Sequence, residues 1–309
     1  MDGFYGETAT AYVNDLMRQG PSRNADDIWE LTMEDKRKGF CRGPFLRTEM
    51  DKRFGRGLWR PMSTFMVEQS TGKKRRIDNA KRGLHNLFAR LLETIFTVSI
   101  DWIAQVIWLF TTLQVVFADL IRLIPSDEFE VEMGTDDLPD AYRGCPVHPA
   151  DLSAAVIALW SREHQQMVFF TCIALGVGLG SAVVSFNRLP TLLTAINRRL
   201  FLVATASYFD DIPTVDLVIA RGSGQAMVRK SMALAGAKPS PDKGTPMSQY
   251  RVFLGTHARL AGAAARATVT FEPKETTRMK AVGTMQEMRS TGVCHPGAAS
   301  KLKGTLGWI

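Results

Sequence analysis

Hydrophobic positions along this chain recur with two different periods, and the switches between them lay out its elements. Residues 62–69 and 76–79 have strand character, and the stretch 70–74 between them contains Gly72, which suits a tight turn. A basic hairpin is expected there. Residues 86–123 contain neither proline nor glycine and are apolar enough to predict a long helix buried against other elements. Residues 129–138 read as a strand ending in Asp136-Asp137, and 154–160 with 166–173 as a strand pair around Arg162 to His164. Residues 181–199 have helical periodicity through Val184, Leu192 and Ile196, with Pro190 as a kink. Strand character returns over 201–208, leaving Phe209-Asp210-Asp211 at a turn. A helix of small residues is expected over 224–235, a strand over 249–254, and weak elements after Gly255. The N-terminal fifty residues offer one short amphipathic helix, capped by Asp26 or Asp27, with Ile28, Trp29 and Leu31 on its apolar face. That segment reads as an extension.

Two apolar stretches compete with this picture. Residues 102–118 and 167–186 could be taken for membrane spans, and the second holds no charged side chain and includes a GxxxG match at Gly176 to Gly180. The first, however, is at the short end for a span and is bracketed by Asp101 and Asp119, so a buried helix explains it better. The second begins with Val168, Phe169, Phe170 and Thr171 and is broken by glycine, as a strand, turn and helix start would be. A small basic membrane protein stays as the competing class.

Bulk composition narrows the field. The chain has 309 residues of which 45% are apolar, enough to bury one large core or two modest ones. Lys and Arg number 38 against 31 Asp and Glu, and a pI of about 9.3 favours a polyanionic partner, nucleic acid or membrane headgroups alike. Cys41, Cys145, Cys172 and Cys294 are widely spaced without a CxxC pair, so spacing implies neither zinc nor a disulfide framework, and a reducing compartment fits best. The first sixteen residues carry Asp2, Glu7 and Asp15 without an apolar run, unlike a secretory signal, which points to the nucleus or cytoplasm. The five histidines show no HxH or HExxH spacing, and no Ser-His-Asp triad is supported.

The carboxylates carry the chemistry. Phosphoryl transfer from a nucleoside triphosphate uses two magnesium ions roughly 3.5–4 Å apart, which need converging hard oxygen ligands. Asp137 at a strand end and Asp210-Asp211 at a turn could meet if their strands are neighbours in one sheet. An acidic dipeptide at a turn is, by itself, more often a solvated turn.

The order of the surrounding segments adds a resemblance. Tyr208-Phe-Asp-Asp211 resembles the YxDD hairpin of reverse transcriptases, and Asp137-Leu-Pro-Asp-Ala-Tyr-Arg143 with Pro146-Val-His-Pro149 resembles their first aspartate motif. Gly72-Lys-Lys-Arg-Arg-Ile-Asp78 followed by Asn86 resembles the fingers hairpin, Gly178 to Arg188 the template-side motif, and Lys243 with Phe253-Leu-Gly255 the palm lysine and the start of the primer-contacting hairpin. Gly176 and Val177 stand where the family usually has proline and phenylalanine. The likeness covers about residues 60–255, and the forms of its motifs look most like divergent retrotransposon polymerases.

The resemblance implies an α+β fold, a polymerase palm with an antiparallel sheet backed by helices, plus a fingers subdomain. It divides the chain into an N-terminal extension (1–50), fingers (51–134), palm (135–255) and the start of a thumb or connection region (256–309). Asp137 and Asp210 become metal ligands assisted by Asp211, and Lys243 a proton donor to departing pyrophosphate. Lys73 and Arg75 hold the incoming triphosphate, Tyr142 lies under the sugar and favours deoxynucleotides, and Gly178 lets the backbone approach the base pair. The implied cofactor is magnesium, two ions, with manganese able to replace it. The implied partners are an RNA or DNA template with its primer and deoxynucleoside triphosphates, without a membrane. An inactive copy that still binds nucleic acid is the alternative. The last fifty residues carry no recognisable RNase H, integrase or full thumb, as expected for a fragment of a longer polyprotein. Oligomeric state is left open.

Overall fold

The computed structural model describes residues 3–69, 72–125, 127–237, 239–240 and 243–306. The first half of the chain runs through α1 (Glu7–Met17), α2 (Ala25–Arg37), β1 (Cys41–Phe45), α3 (Arg47–Phe54), β2 (Pro61–Glu68), β3 (Lys74–Asp78), α4 (His85–Phe88), α5 (Asp101–Val116), α6 (Ala118–Ile121) and β4 (Val131–Asp137). It continues through β5 (Val156–Ser161), β6 (Gln166–Cys172), α7 (Gly180–Leu200), β7 (Ala204–Thr205), β8 (Asp211–Leu217) and α8 (Ser223–Leu234). Last come β9 (Thr245–Ser248), β10 (Tyr250–Phe253), β11 (Thr256–Arg259), α9 (Ala263–Arg266), β12 (Thr270–Pro273), α10 (Glu275–Thr291) and α11 (Pro296–Leu306). The chain divides into two compact units, residues 1–95 with 140–189 and residues 96–139 with 190–309. It is α+β throughout.

The first unit is built on a five-stranded sheet ordered β1-β6-β5-β2-β3. Its β2 and β5 run parallel and its other pairs antiparallel. The β2–β3 hairpin is the expected basic one, paired from Thr64↔Asp78 to Glu68↔Lys74, with Gly72 at φ 78° in its turn. The first fifty residues supply α1, α2 and β1 to this unit. Along β6, Met167 and Phe169 enter a cluster with Leu16, Met50 and Trp59, whereas Val168 and Phe170 enter a second with Ile28, Met62 and Ile157. A strand buried on both faces needs no polar alternation. That is why residues 167–172 mimic a membrane span.

The second unit holds a four-stranded antiparallel sheet, β7-β8-β4-β9, and a three-stranded one, β10-β11-β12. Trp102, Ile103, Val106 and Ile107 of α5 pack with Val131 and Met133 of β4, Val215 of β8 and Phe253 of β10. Helix α8 lies against β8 and β4, and Asn197 near the end of α7 donates to the Ser231 hydroxyl of α8 at 2.7 Å. The antiparallel sheet is thus backed by helices, as expected.

Three expectations need correction. The single helix over 86–123 is broken: only 85–88, 101–116 and 118–121 are α-helical. The chain passes from the first unit to the second at residues 95–96, and the helix restarts where the Trp102 amide donates to the Ser99 carbonyl and the Ser99 hydroxyl to Asp101. Nor is α5 buried all round, because Trp108, Val115 and Val116 are exposed. The strand over 201–208 shrinks to Ala204–Thr205, since Phe201 and Val203 amides still bond back to the Asn197 carbonyl at the helix end. Beyond residue 255 the tail is more regular than its sequence suggests, with a 17-residue α10 that buries only Ala281. No described helix is long and apolar enough to cross a membrane.

Candidate active site

Strand alternation sorts the two aspartates at the end of β4. Successive side chains point to opposite faces, so Asp136 and Asp137 cannot share a role. Asp136 is buried at 1% exposure and its Oδ1 accepts from Arg229 Nε of α8 at 2.6 Å, while its Oδ2 has no hydrogen-bond partner among the described residues. Asp137 lies on the other face. It is directly opposite Asp211 in the β4–β8 register, and the Leu138 amide donates to the Asp210 carbonyl at 3.0 Å.

The turn that carries Asp210 is as tight as a hairpin can be. Tyr208 and Asp211 exchange both backbone hydrogen bonds, at 2.9 and 3.0 Å, leaving Phe209 and Asp210 as the two loop residues. Phe209 takes φ 53°, the left-handed region such loops require, and its ring stands edge-on to Tyr208 with centroids 5.0 Å apart. Lys243 completes the group, with Nζ 2.7 Å from Asp137 Oδ1. The segment after it is pinned: Gln225 Nε2 donates to the Thr245 carbonyl at 2.9 Å, and the hydroxyls of Thr135 and Thr245 are 2.7 Å apart. The structure therefore brings together all four residues expected to be catalytic.

Their electrostatics are those of crowded anions. Loss of solvent, together with the charges of Asp210 and Asp137, pushes the Asp211 carboxyl up to about 6, with Lys243 pulling the other way. Among the described residues no group of three or more Asp, Glu, His and Cys side chains is arranged to hold a metal ion as it stands. The donor set nonetheless suits a hard divalent cation, being all carboxylate oxygen with mutual repulsion that Lys243 offsets only in part. Among the described residues, Lys243 brings a positive charge to it.

The expected nucleotide-binding residues lie in the first unit. Alternation again divides the basic hairpin: Lys73 and Arg75 are exposed, Lys74 pairs with Asp27 at 2.6 Å, and Arg76 is buried. Arg76 contacts Asp35 at 2.9 Å and Asp78 at 3.2 Å, and Arg143 contacts Asp35 at 2.8 Å. Two motif residues, Asp78 and Arg143, thus belong to a buried charge network centred on Asp35, which sequence spacing did not single out. Gly178, at φ 119°, has its closest neighbour in the chain itself, where an added Cβ would come within 2.1 Å of the Asp78 carbonyl oxygen. Asn86 clamps this turn, accepting from the Gly180 amide at 2.9 Å and donating to the Gly178 carbonyl at 3.0 Å. Tyr142 sits in a short 3-10 turn with its ring edge-on to Phe186, centroids 5.7 Å apart.

No family profile matches this sequence, and no curated protein does. Solved structures do. The foamy viral protease-reverse transcriptase dRH, in a complex with double-stranded DNA, superposes with a TM-score of 0.61 over 95% of this chain, at 12% sequence identity. The fold is reverse-transcriptase-like. The chain spans 42% of that protein's length, so the likeness concerns the part and not the whole. At such identity it is architecture that is shared, and the carboxylate arrangement above is this chain's own evidence.

Proposed function

We propose that this chain is the fingers and palm of an RNA-directed DNA polymerase of retrotransposon type, adding deoxynucleotides to a primer. The observation that carries the reading is the pairing of Asp137 with Asp211 beside a two-residue loop that presents Asp210. Two distant sequence segments thereby supply three carboxylates at one end of one sheet.

In this reading Asp137 and Asp210, with Asp211, would hold divalent magnesium, which supplies activation of the attacking oxygen and stabilisation of the leaving one. Lys243, which pairs with Asp137, would give a proton to departing pyrophosphate. The exposed Lys73 and Arg75 bind the triphosphate of the incoming nucleotide, where an Arg fork matches phosphate oxygens. The ring of Tyr142, steadied by Phe186, selects against a 2′-hydroxyl. The partner is then a primed RNA or DNA template.

The test is primer extension on poly(rA)–oligo(dT) with magnesium, comparing the chain with its Asp210→Asn and Asp211→Asn forms. Extension lost in both variants with folding retained is the expected result. Folded protein that binds template but never extends it would make the chain an inactive nucleic-acid-binding copy.

A further inference from the structure

Cys41 and Cys172, which sequence spacing left unassigned, face each other across β1 and β6. The Ile173 amide donates to the Phe40 carbonyl at 2.8 Å, so the backbone bonds fall to the residues flanking the two cysteines. They are a non-hydrogen-bonded antiparallel pair, the kind whose Cα atoms approach to ~4.5 Å. A disulfide spans Cα separations of ~4.4–6.8 Å. Directly opposed residues point to the same face, and both cysteines enter the same apolar cluster with Ile28 and Phe170.

We propose that Cys41 and Cys172 form a cross-strand disulfide site that reacts with peroxide-class oxidants. Both thiols are buried and reduced in the resting chain. Burial raises Cys41 to about 11 and Cys172 to about 12, against the pull of the Arg76 and Arg143 guanidiniums. Reaction therefore follows local opening. Strand β1 is an edge strand whose one neighbour in the described sheet is β6, and its register breaks between Arg42 and Phe45, so local opening there has to undo one strand pairing and the packing of α2.

On opening, the Cys41 thiolate attacks a peroxide oxygen. An S–O bond forms, the O–O bond breaks, and hydroxide leaves to take up the thiol proton as water. Cys172 then attacks the sulfenic sulfur: the S–S bond forms, the S–O bond breaks, and the second water departs with the Cys172 proton. Two thiols lose two electrons in all and one peroxide becomes two waters. The product ties the edge strand to β6 and closes a long loop, which restricts the unfolded chain.

The experiment treats the folded wild-type chain with hydrogen peroxide, blocks remaining thiols with iodoacetamide under denaturing conditions, and maps non-reduced peptides by mass spectrometry. Expected are a peptide joining Cys41 to Cys172 and a rise of several degrees in melting temperature, reversed by dithiothreitol. Cys41→Ser and Cys172→Ser each lose the rise. Both thiols recovered as alkylated, cross-links confined to Cys145 or Cys294, or a melting rise that persists in Cys41→Ser would overturn the proposal.

Discussion

Asp136 and Asp137 are identical in chemistry and adjacent in sequence, yet one is buried and paired with Arg229 and the other faces Lys243 and the Asp210 turn. The sequence already pointed to Asp137 through its motif, but the fate of Asp136 depends on Arg229, far along the chain, and could not be read locally. The same holds for Asp35, whose two arginine partners come from β3 and from the segment after β4. At this scale a pH prediction follows from His85. Its Nε2–H donates to the Ala154 carbonyl at 2.9 Å, the residue is 6% exposed, and burial lowers it to about 4. Below its ordinary value near 6.5 the unfolded chain takes up a proton that the folded chain refuses. Stability is therefore present above that value and lost as pH falls from about 6.5 to 4, by at most ~3 kcal/mol. Urea melts at a series of pH values should show that slope in wild type and a flatter one in His85→Gln.

Elements were legible where their own periodicity decides them. The β2–β3 hairpin, β4, the β5–β6 pair, α7 and α8 all lie close to where their patterns put them. The failures are where tertiary context decides. The stretch 89–100 has helical composition but serves as a crossing between units, and residues 201–203 finish a helix instead of starting a strand. Gly178 is a further case: its motif signalled a close approach, and the closest group to it is the Asp78 carbonyl of β3. Gly178→Ala combines a positive φ with that clash and should cost roughly 2–4 kcal/mol in urea unfolding. Asn86→Ala, which only removes the clamp, should cost about 1–2 kcal/mol. Equal losses in the two variants would mean that the clamp and not the backbone fixes the turn.

The whole molecule carries a formal charge of +7, and its exposed basic residues include Lys73 and Arg75 of the β2–β3 hairpin. Composition points to a polyanionic partner, but not to which cations are exposed to meet it. Half of that basic run is already used inside the first unit, Lys74 by Asp27 and Arg76 by Asp35 and Asp78. Replacing Arg75 by Ala should therefore raise KM for the nucleotide roughly tenfold or more while the chain still folds, whereas Arg76→Ala should show as lost stability. Steady-state kinetics beside thermal melts separate the two.

The account turns on which face of β4 does the chemistry, and primer extension by Asp137→Asn beside Asp136→Asn tests it most directly. Asp137→Asn should fold and melt like the parent and add no nucleotide. Asp136→Asn should melt lower, having weakened the bond to Arg229, yet extend primer below its melting temperature. Extension that survives in Asp137→Asn would contradict the account.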